Sequence, residues 1–240
     1  MARILAVLMT LLLTILAVYA WIRLDVPIER VRVDGQLAEA ERAQVRAAVD
    51  GNLSGGMLGA DLDGLKAAIE ALSWPRFVTV RRVWPSGLQI SVEKAMVVAR
   101  WNHAYLTADG RVVEMPSDLE GLPVLNCATS EPKAALETYL RLNIIAADAG
   151  LALAALEENE LGEWMLKFPD GVTLMLGSER LSERFERFVI VYRQALQARF
   201  DQVARVDARY ASGLAVSWVN SVAAADGITT PLGKSSQHGI

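Results

Sequence analysis

Cysteine and histidine are almost absent: Cys127 is the only cysteine, and His103 and His238 the only histidines, in 240 residues. A single thiol excludes an intrachain disulfide, and the clusters of thiols and imidazoles that hold zinc are missing. His103 sits in a short Trp-Asn-His turn and His238 near the end of the chain, neither with a partner at metal spacing. Cys127 reads as a small buried hydrophobe, a common role for free cysteine. Basic runs are missing too. A net charge of −4 and a pI near 5.3 argue against a nucleic-acid partner, whose phosphates demand a basic face. No G-x-S-x-G, Walker lysine loop or H-E-x-x-H occurs, and Gly55, Gly56 and Gly59 form no phosphate cradle. Asp61 and Asp63 form a D-x-D pair at a predicted helix start, where carboxylates cap free N–H groups. No catalytic, cofactor or metal residue is therefore expected, and the chain reads as non-enzymatic.

Charge is also lacking from Ile4 to Ile22, nineteen residues broken only by Thr10 and Thr14. A helix of that length nearly matches a hydrocarbon core of ~30 Å. Cleavage after Val18-Tyr19-Ala20 would make the segment a signal peptide, but such apolar regions usually run ~7–15 residues behind a more basic start than Arg3 supplies. The reading adopted is an uncleaved single span, with Tyr19 and Trp21 suited to the headgroup interface. Arg3 lies on one side and Arg23, Arg30 and Arg32 on the other, so charge alone does not orient it.

Beyond the span, apolar residues alternate and recur in short patterns. Ile28, Val31 and Val33 predict a strand closed by Asp34-Gly35. Helices are predicted over Glu39–Val49 and Leu58–Leu72, with loop chemistry from Asn52 to Gly56. Phe77–Trp84 and Leu88–Val92 predict a hairpin around Pro85-Ser86-Gly87. Short strands are expected at Val97–Trp101, Tyr105–Thr107 and Arg111–Val113, then a helix over Glu131–Ala149 with the next strand adjoining at Gly150. Trp164, Leu166 and Phe168 alternate, Pro169-Asp170-Gly171 turns, and Val172, Leu174 and Leu176 alternate again. A helix capped by Ser178 carries Leu181, Phe185, Phe188, Tyr192 and Leu196 on one face through Ala198, a stripe that fits core packing. Val203–Asp207 and Leu214–Trp218 are the last strands. The tail from Asn220 has no apolar periodicity and is expected to be disordered.

Two helices on one face of a three-stranded sheet is an α+β solution. Three stretches carry a resemblance to a known family: Val31-Arg32-Val33-Asp34-Gly35, Val83-Trp84-Pro85 with Ala99-Arg100-Trp101-Asn102, and Val206-Asp207-Ala208-Arg209-Tyr210-Ala211-Ser212-Gly213 before a tryptophan strand. Together they resemble the FtsQ/DivIB cell-division family, and the third is the most specific. The resemblance implies a cytoplasmic start (1–3), shorter than is usual in that family, and a transmembrane helix (4–22). It further implies a POTRA domain of β-α-α-β-β order (26–95), a β-rich partner-binding domain with covering helices (96–219), and the tail (220–240). It also implies a non-enzymatic scaffold of the inner membrane at the division septum that links early and late division proteins, with a periplasmic C-terminal domain that binds FtsB-like and FtsL-like proteins through an edge strand and a POTRA domain that meets other division proteins. Arg184, Tyr210, Ser212, Gly213 and Trp218 are the partner-binding residues it points to. The residues alone leave another reading open, with Tyr210 and Trp218 in the core, Asp207 and Arg209 a local ion pair, and Gly213 a turn residue. Other functions weighed are an envelope chaperone or translocation component bearing a POTRA domain, and a membrane-tethered periplasmic hydrolase.

Overall fold

The computed structural model describes residues 2–219. The expectation for the tail lies outside the described residues. The chain begins with helix α1 (Ala2–Leu24), which runs the whole length of the expected span. Its described side chains cover only residues 6–19, and among the described residues no helix is long and apolar enough to cross a membrane.

Two compact units are present, Met1–Val97 with Val112–Glu120, and Val98–Arg111 with Gly121–Ile240. In the first, β1 (Arg30–Asp34), α2 (Glu39–Asn52), α3 (Leu62–Glu70), β2 (Pro75–Val83) and β3 (Gly87–Lys94) occur in the expected order. The sheet runs β1-β3-β2, with β2 and β3 antiparallel as predicted and β1 joining β3 in parallel. Alternation dictates the packing: Leu88, Ile90 and Val92 are buried with Val78 against Val45, Val49, Leu65 and Ile69 of the two helices. Asp61 caps α3 by accepting from the Gly64 N–H at 2.9 Å, as its position predicted. Leu58 precedes that helix rather than opening it, because residues 56–59 are claimed by another group. The Asp25 carboxylate accepts from the N–H groups of Gly56, Leu58 and Gly59 at 3.4, 2.8 and 3.2 Å. From the other side the Arg82 guanidinium donates to the carbonyls of Met57 and Ala60. Gly56 is required there, since a Cβ would overlap the Asp25 carboxylate.

The second unit is built on a mixed sheet in which the strands run in the order β12-β11-β10-β9-β8-β7-β4-β5. These are β4 (Val97–Trp101), β5 (Ala104–Thr107), β7 (Val124–Cys127), β8 (Ala155–Glu158), β9 (Trp164–Lys167), β10 (Thr173–Gly177), β11 (Val203–Asp207) and β12 (Ala215–Trp218), while the short β6 (Val112–Val113) falls in the stretch that belongs to the first unit. Helix α4 (Pro132–Asp148) connects β7 to β8, and α5 (Leu181–Val191) connects β10 to β11. Both pairs are parallel, as helical crossovers require. The predicted hairpin is β9–β10. Its inward residues Leu166, Leu174 and Leu176 pack with the predicted stripe of Phe185, Phe188, Tyr192 and Leu196.

Three expectations need correction. The strand after α4 begins at Ala155, not at Gly150: Gly150 takes a left-handed φ of 71° and ends the helix, and the next four residues return the chain to the sheet. Ser178 does not cap α5. Arg180 stands at that position with φ 51° and ψ 42° and makes no capping bond through its side chain. The helix also does not stay regular through Ala198: after Val191 it widens to a π turn (Tyr192–Leu196) and then tightens to a 3-10 segment (Gln197–Gln202). That change of pitch keeps Phe200 buried against Phe168 and Tyr192, at ring separations of 5.4 and 5.0 Å.

Glu158 is the second unit's buried carboxylate. It accepts from the N–H and the hydroxyl of both Thr129 and Ser130, at 2.8–3.2 Å. Burial pushes its pKa up, but the bonds from Ser130 and Thr129 outweigh it and hold the carboxyl below its ordinary range. Asp25 is likewise lowered, first by the Leu58 and Gly59 N–H groups, and Asp207 first by Arg209. Groups lowered in the folded state stabilise it above their unfolded pKa, and that contribution is lost as pH falls through the folded values. Stability is therefore expected to hold from neutrality down to about pH 5 and to fall steeply below about pH 4. In urea unfolding, Glu158→Gln should be the less stable protein at neutral pH, with the gap closing in acid. A gap that is independent of pH would show that the charge is not what the four donors hold.

Candidate functional site

The sequence-predicted residues gather at one end of the second sheet. β12 is the terminal strand, paired antiparallel with β11 through Val203–Trp218, Arg205–Ser217, Val206–Val216 and Asp207–Ala215. Among the described strands β12 has a neighbour on one side only, the position at which a sheet can take an added strand. Val216 and Trp218 turn inward and pack partly on the core. The Arg199 guanidinium lies over the Trp218 ring, 5.1 Å from its centroid. Ala215 and Ser217 face outward and are exposed.

The stretch before β12 is shaped by two arginines. Arg209 donates to both oxygens of Asp207, from Nε and Nη2, and from Nη1 to Glu163 at 3.2 Å. Asp207 and Arg209 thus form the local ion pair that the residues alone allowed. Arg187, on α5, supplies the second hold. Its Nη1 donates to the Ala211 carbonyl at 3.0 Å, and its Nη2 to those of Ala208 and Tyr210 at 2.9 and 2.8 Å. Its Nε is buried without a partner among the described residues. Sequence reasoning missed this residue. Its one signal is its place beside Phe188, which puts it on the border of the buried stripe.

The five predicted residues fare differently. Tyr210 is 59% exposed, so it is no core residue. Ser212 is exposed as well. Gly213 has open space where a Cβ would sit and is not in the left-handed region, so the fold itself makes no demand for glycine there. Trp218 is half in the core and half at the edge. Arg184 is partly buried and donates to the Leu176 carbonyl at 2.5 Å, which ties one Nη to the β10 terminus. Tyr210, Ser212 and Gly213 lie in the stretch that leads into β12, and Trp218 lies at the far end of that strand, turned toward the core.

A cleft of about 310 Å³ is lined by Glu157, Glu158, Glu163, Trp164, Met165 and Met175 among others. Its carboxylates are committed. Glu157 pairs with Lys167 at 2.7 Å, Glu163 with Arg209, and Glu158 with Thr129 and Ser130. Each already accepts from a neighbouring side chain or backbone group. Cys127 is buried, and burial followed by the nearby Glu158 charge pushes its thiol up to about 12, far from a nucleophile's range. Among the described residues no group of three or more His, Cys, Asp or Glu side chains could hold a metal.

Comparison with known proteins agrees with the two-unit layout. The POTRA domain of FtsQ type matches residues 26–94, and the C-terminal region of cell division protein FtsQ/DivIB matches residues 99–209. The cell division protein FtsQ of Shewanella oneidensis is 34% identical over 196 residues, covering 80% of this chain and 74% of that protein. That of Allochromatium vinosum is 30% identical over 227 residues, covering 90% of each. The protein of the same name from Hahella chejuensis is 29% identical over 211 residues, with 86% of this chain and 76% of that one covered. Two domain matches in the right order, and this identity over most of the chain, establish that the protein belongs to the FtsQ family of cell-division proteins.

Proposed function

We propose that this protein is a bitopic inner-membrane scaffold of the division machinery, which binds FtsB-like and FtsL-like proteins by adding a strand of the partner to β12. The terminal position of β12, with Tyr210 exposed on its approach, is the observation that carries this reading. An edge strand supplies affinity through main-chain hydrogen bonds, and the side chains beside it supply specificity. Tyrosine, tryptophan and arginine are the residue types on which such interfaces concentrate their energy. Gly213, with open space above it, lets a partner backbone approach closely, and the remaining donors of Arg184 can meet a partner carboxylate.

The nineteen uncharged residues from Ile4 to Ile22 support reading α1 as the single span. At ~1.5 Å per residue those nineteen residues would span about 28 Å as a helix, close to a hydrocarbon core of ~30 Å. The amino terminus is then cytoplasmic and both compact units periplasmic. Scaffolding needs no chemistry, and the committed carboxylates are consistent with that.

Tyr210→Ala is expected to weaken binding of an FtsB-like periplasmic segment by about 30-fold, the scale of an interface hot spot. Being exposed, it should change stability by less than about 0.5 kcal/mol. Trp218→Ala should weaken binding and stability together, because half the ring is in the core. Titration calorimetry with a circular-dichroism check reads both, and a folded Tyr210→Ala protein that binds like wild type would remove the edge site.

A further inference from the structure

The sheet of the first unit has one face covered by α2 and α3 and one face bare. Register places Arg30, Gly87 and Val83 in one row across the bare face, and Arg32, Gln89 and Arg81 in the next. Farther along come Asp34, Ser91 and Thr79, then Glu93 and Phe77. Charge is therefore graded along this face, three arginines at one end and carboxylates toward the other. The basic end borders a cleft of about 490 Å³, walled by Arg30 and Arg32 on one side and by Val83, Trp84 and Gln89 on the other. Trp84 is 59% exposed and Val83 45%.

The acids nearest this end are occupied. Asp25 accepts from the 56–59 loop, Glu29 from the Ser86 hydroxyl at 3.2 Å, and Asp34 from the Gln89 amide. Arg81 is spent on Gln89. Arg30 and Arg32 have no ion pair among the described residues. The result is two guanidinium groups without a counter-charge, beside an exposed indole.

We propose that this basic end docks on a membrane surface and takes anionic phospholipid headgroups between Arg30, Arg32 and Trp84. The proposal rests on reading α1 as a membrane span. Chain geometry favours lipid over a soluble acidic partner. Arg30 is six residues beyond Leu24, the end of α1, so it stays within about 20 Å of that helix end even with the chain fully extended. The basic end is thus the end where the chain enters from the span, and the acidic end is the far one. Arginines beyond the outer end of a span run against the usual bias in loop charge, and headgroup binding gives them a use. Trp84 suits the interface, with an apolar ring and a polar N–H. Each arginine near an anionic surface favours the docked state by about fivefold, an attraction that salt screens.

The test uses the full chain in vesicles of phosphatidylcholine with phosphatidylglycerol, the lipids carrying brominated acyl chains near the headgroup to quench indole fluorescence. The emission of wild type minus that of Trp84→Phe reports Trp84, and that of wild type minus Trp21→Phe reports the end of α1. The expected result is that Trp84 loses roughly half its emission in anionic vesicles, and that it recovers in Arg30→Gln/Arg32→Gln and in pure phosphatidylcholine, while Trp21 stays quenched throughout. Quenched Trp21 with unquenched Trp84 would overturn the docking and leave the span standing, as would an unquenched Trp84 whose emission instead responds to an acidic peptide. If neither indole is quenched, the span reading fails and takes the docking with it.

Discussion

Phe188→Ala should cost the second unit about 3–5 kcal/mol of unfolding free energy, the range for deleting a buried aromatic ring. Phe188 is fully buried, and its ring lies 5.6 Å from Phe168, 5.9 Å from Phe185, 6.0 Å from Tyr192 and 6.3 Å from Phe200. Those four rings come from β9 and its turn, from α5, and from the π and 3-10 segments after it. Removing the central one opens a cavity that no single neighbour can fill. Urea unfolding should show the transition of the second unit moving to lower denaturant while that of the first stays in place. Phe188→Leu, which keeps much of the volume, should lose less than half as much. A loss below about 1 kcal/mol for the alanine variant would mean that this cluster is not the keystone of the unit.

Arg187→Ala is the second large expected effect, and it separates shape from contact. The variant leaves the carbonyls of Ala208, Tyr210 and Ala211 without their donor, and the loss at the partly buried Ala208 acceptor costs about 1–3 kcal/mol. Solvent can satisfy some of these groups, but only by letting the stretch before β12 move. Binding of an FtsB-like segment should therefore fall about 100-fold, although Arg187 lies behind the edge and not on it. Amide exchange in Ala215–Trp218 should speed up, while exchange in β9 and β10 stays slow. Arg187→Lys should rescue little, because one ammonium cannot span three carbonyls as a planar guanidinium does. Unchanged exchange in β12 combined with lost binding would make Arg187 a direct contact instead.

The sequence was legible where periodicity ran long enough to fix a face. The β9–β10 hairpin and the aromatic stripe of α5 each repeat one face several times, and both stand as expected. β7 did not register, because it is four residues long and repeats a face only twice, with Leu125 and Cys127, and β8, equally short, begins at Ala155 where the pattern pointed to Gly150. Their place in the sheet is set by parallel pairing across α4, which leaves no turn signature. Helix ends were the other weak point. Ser178 has the right chemistry to cap α5, yet the chain enters that helix through a left-handed Arg180. For the site, residue types and family resemblance led to the edge strand. The hold that shapes it was not legible, since Arg187 bonds only to backbone carbonyls, whose positions depend on a tertiary arrangement that no local pattern encodes.

The place of β12 at the end of its sheet also governs when a docking edge can exist. The strand is held by β11 alone, and β11 pairs on its other side with β10 across the α5 crossover. None of this can assemble until the chain is available through Trp218. A nascent or clipped chain that stops after Asp207 would present the edge of β11 instead, a different surface without the Tyr210 approach. A partner that added a strand to β12 would therefore engage only a chain already folded through Trp218.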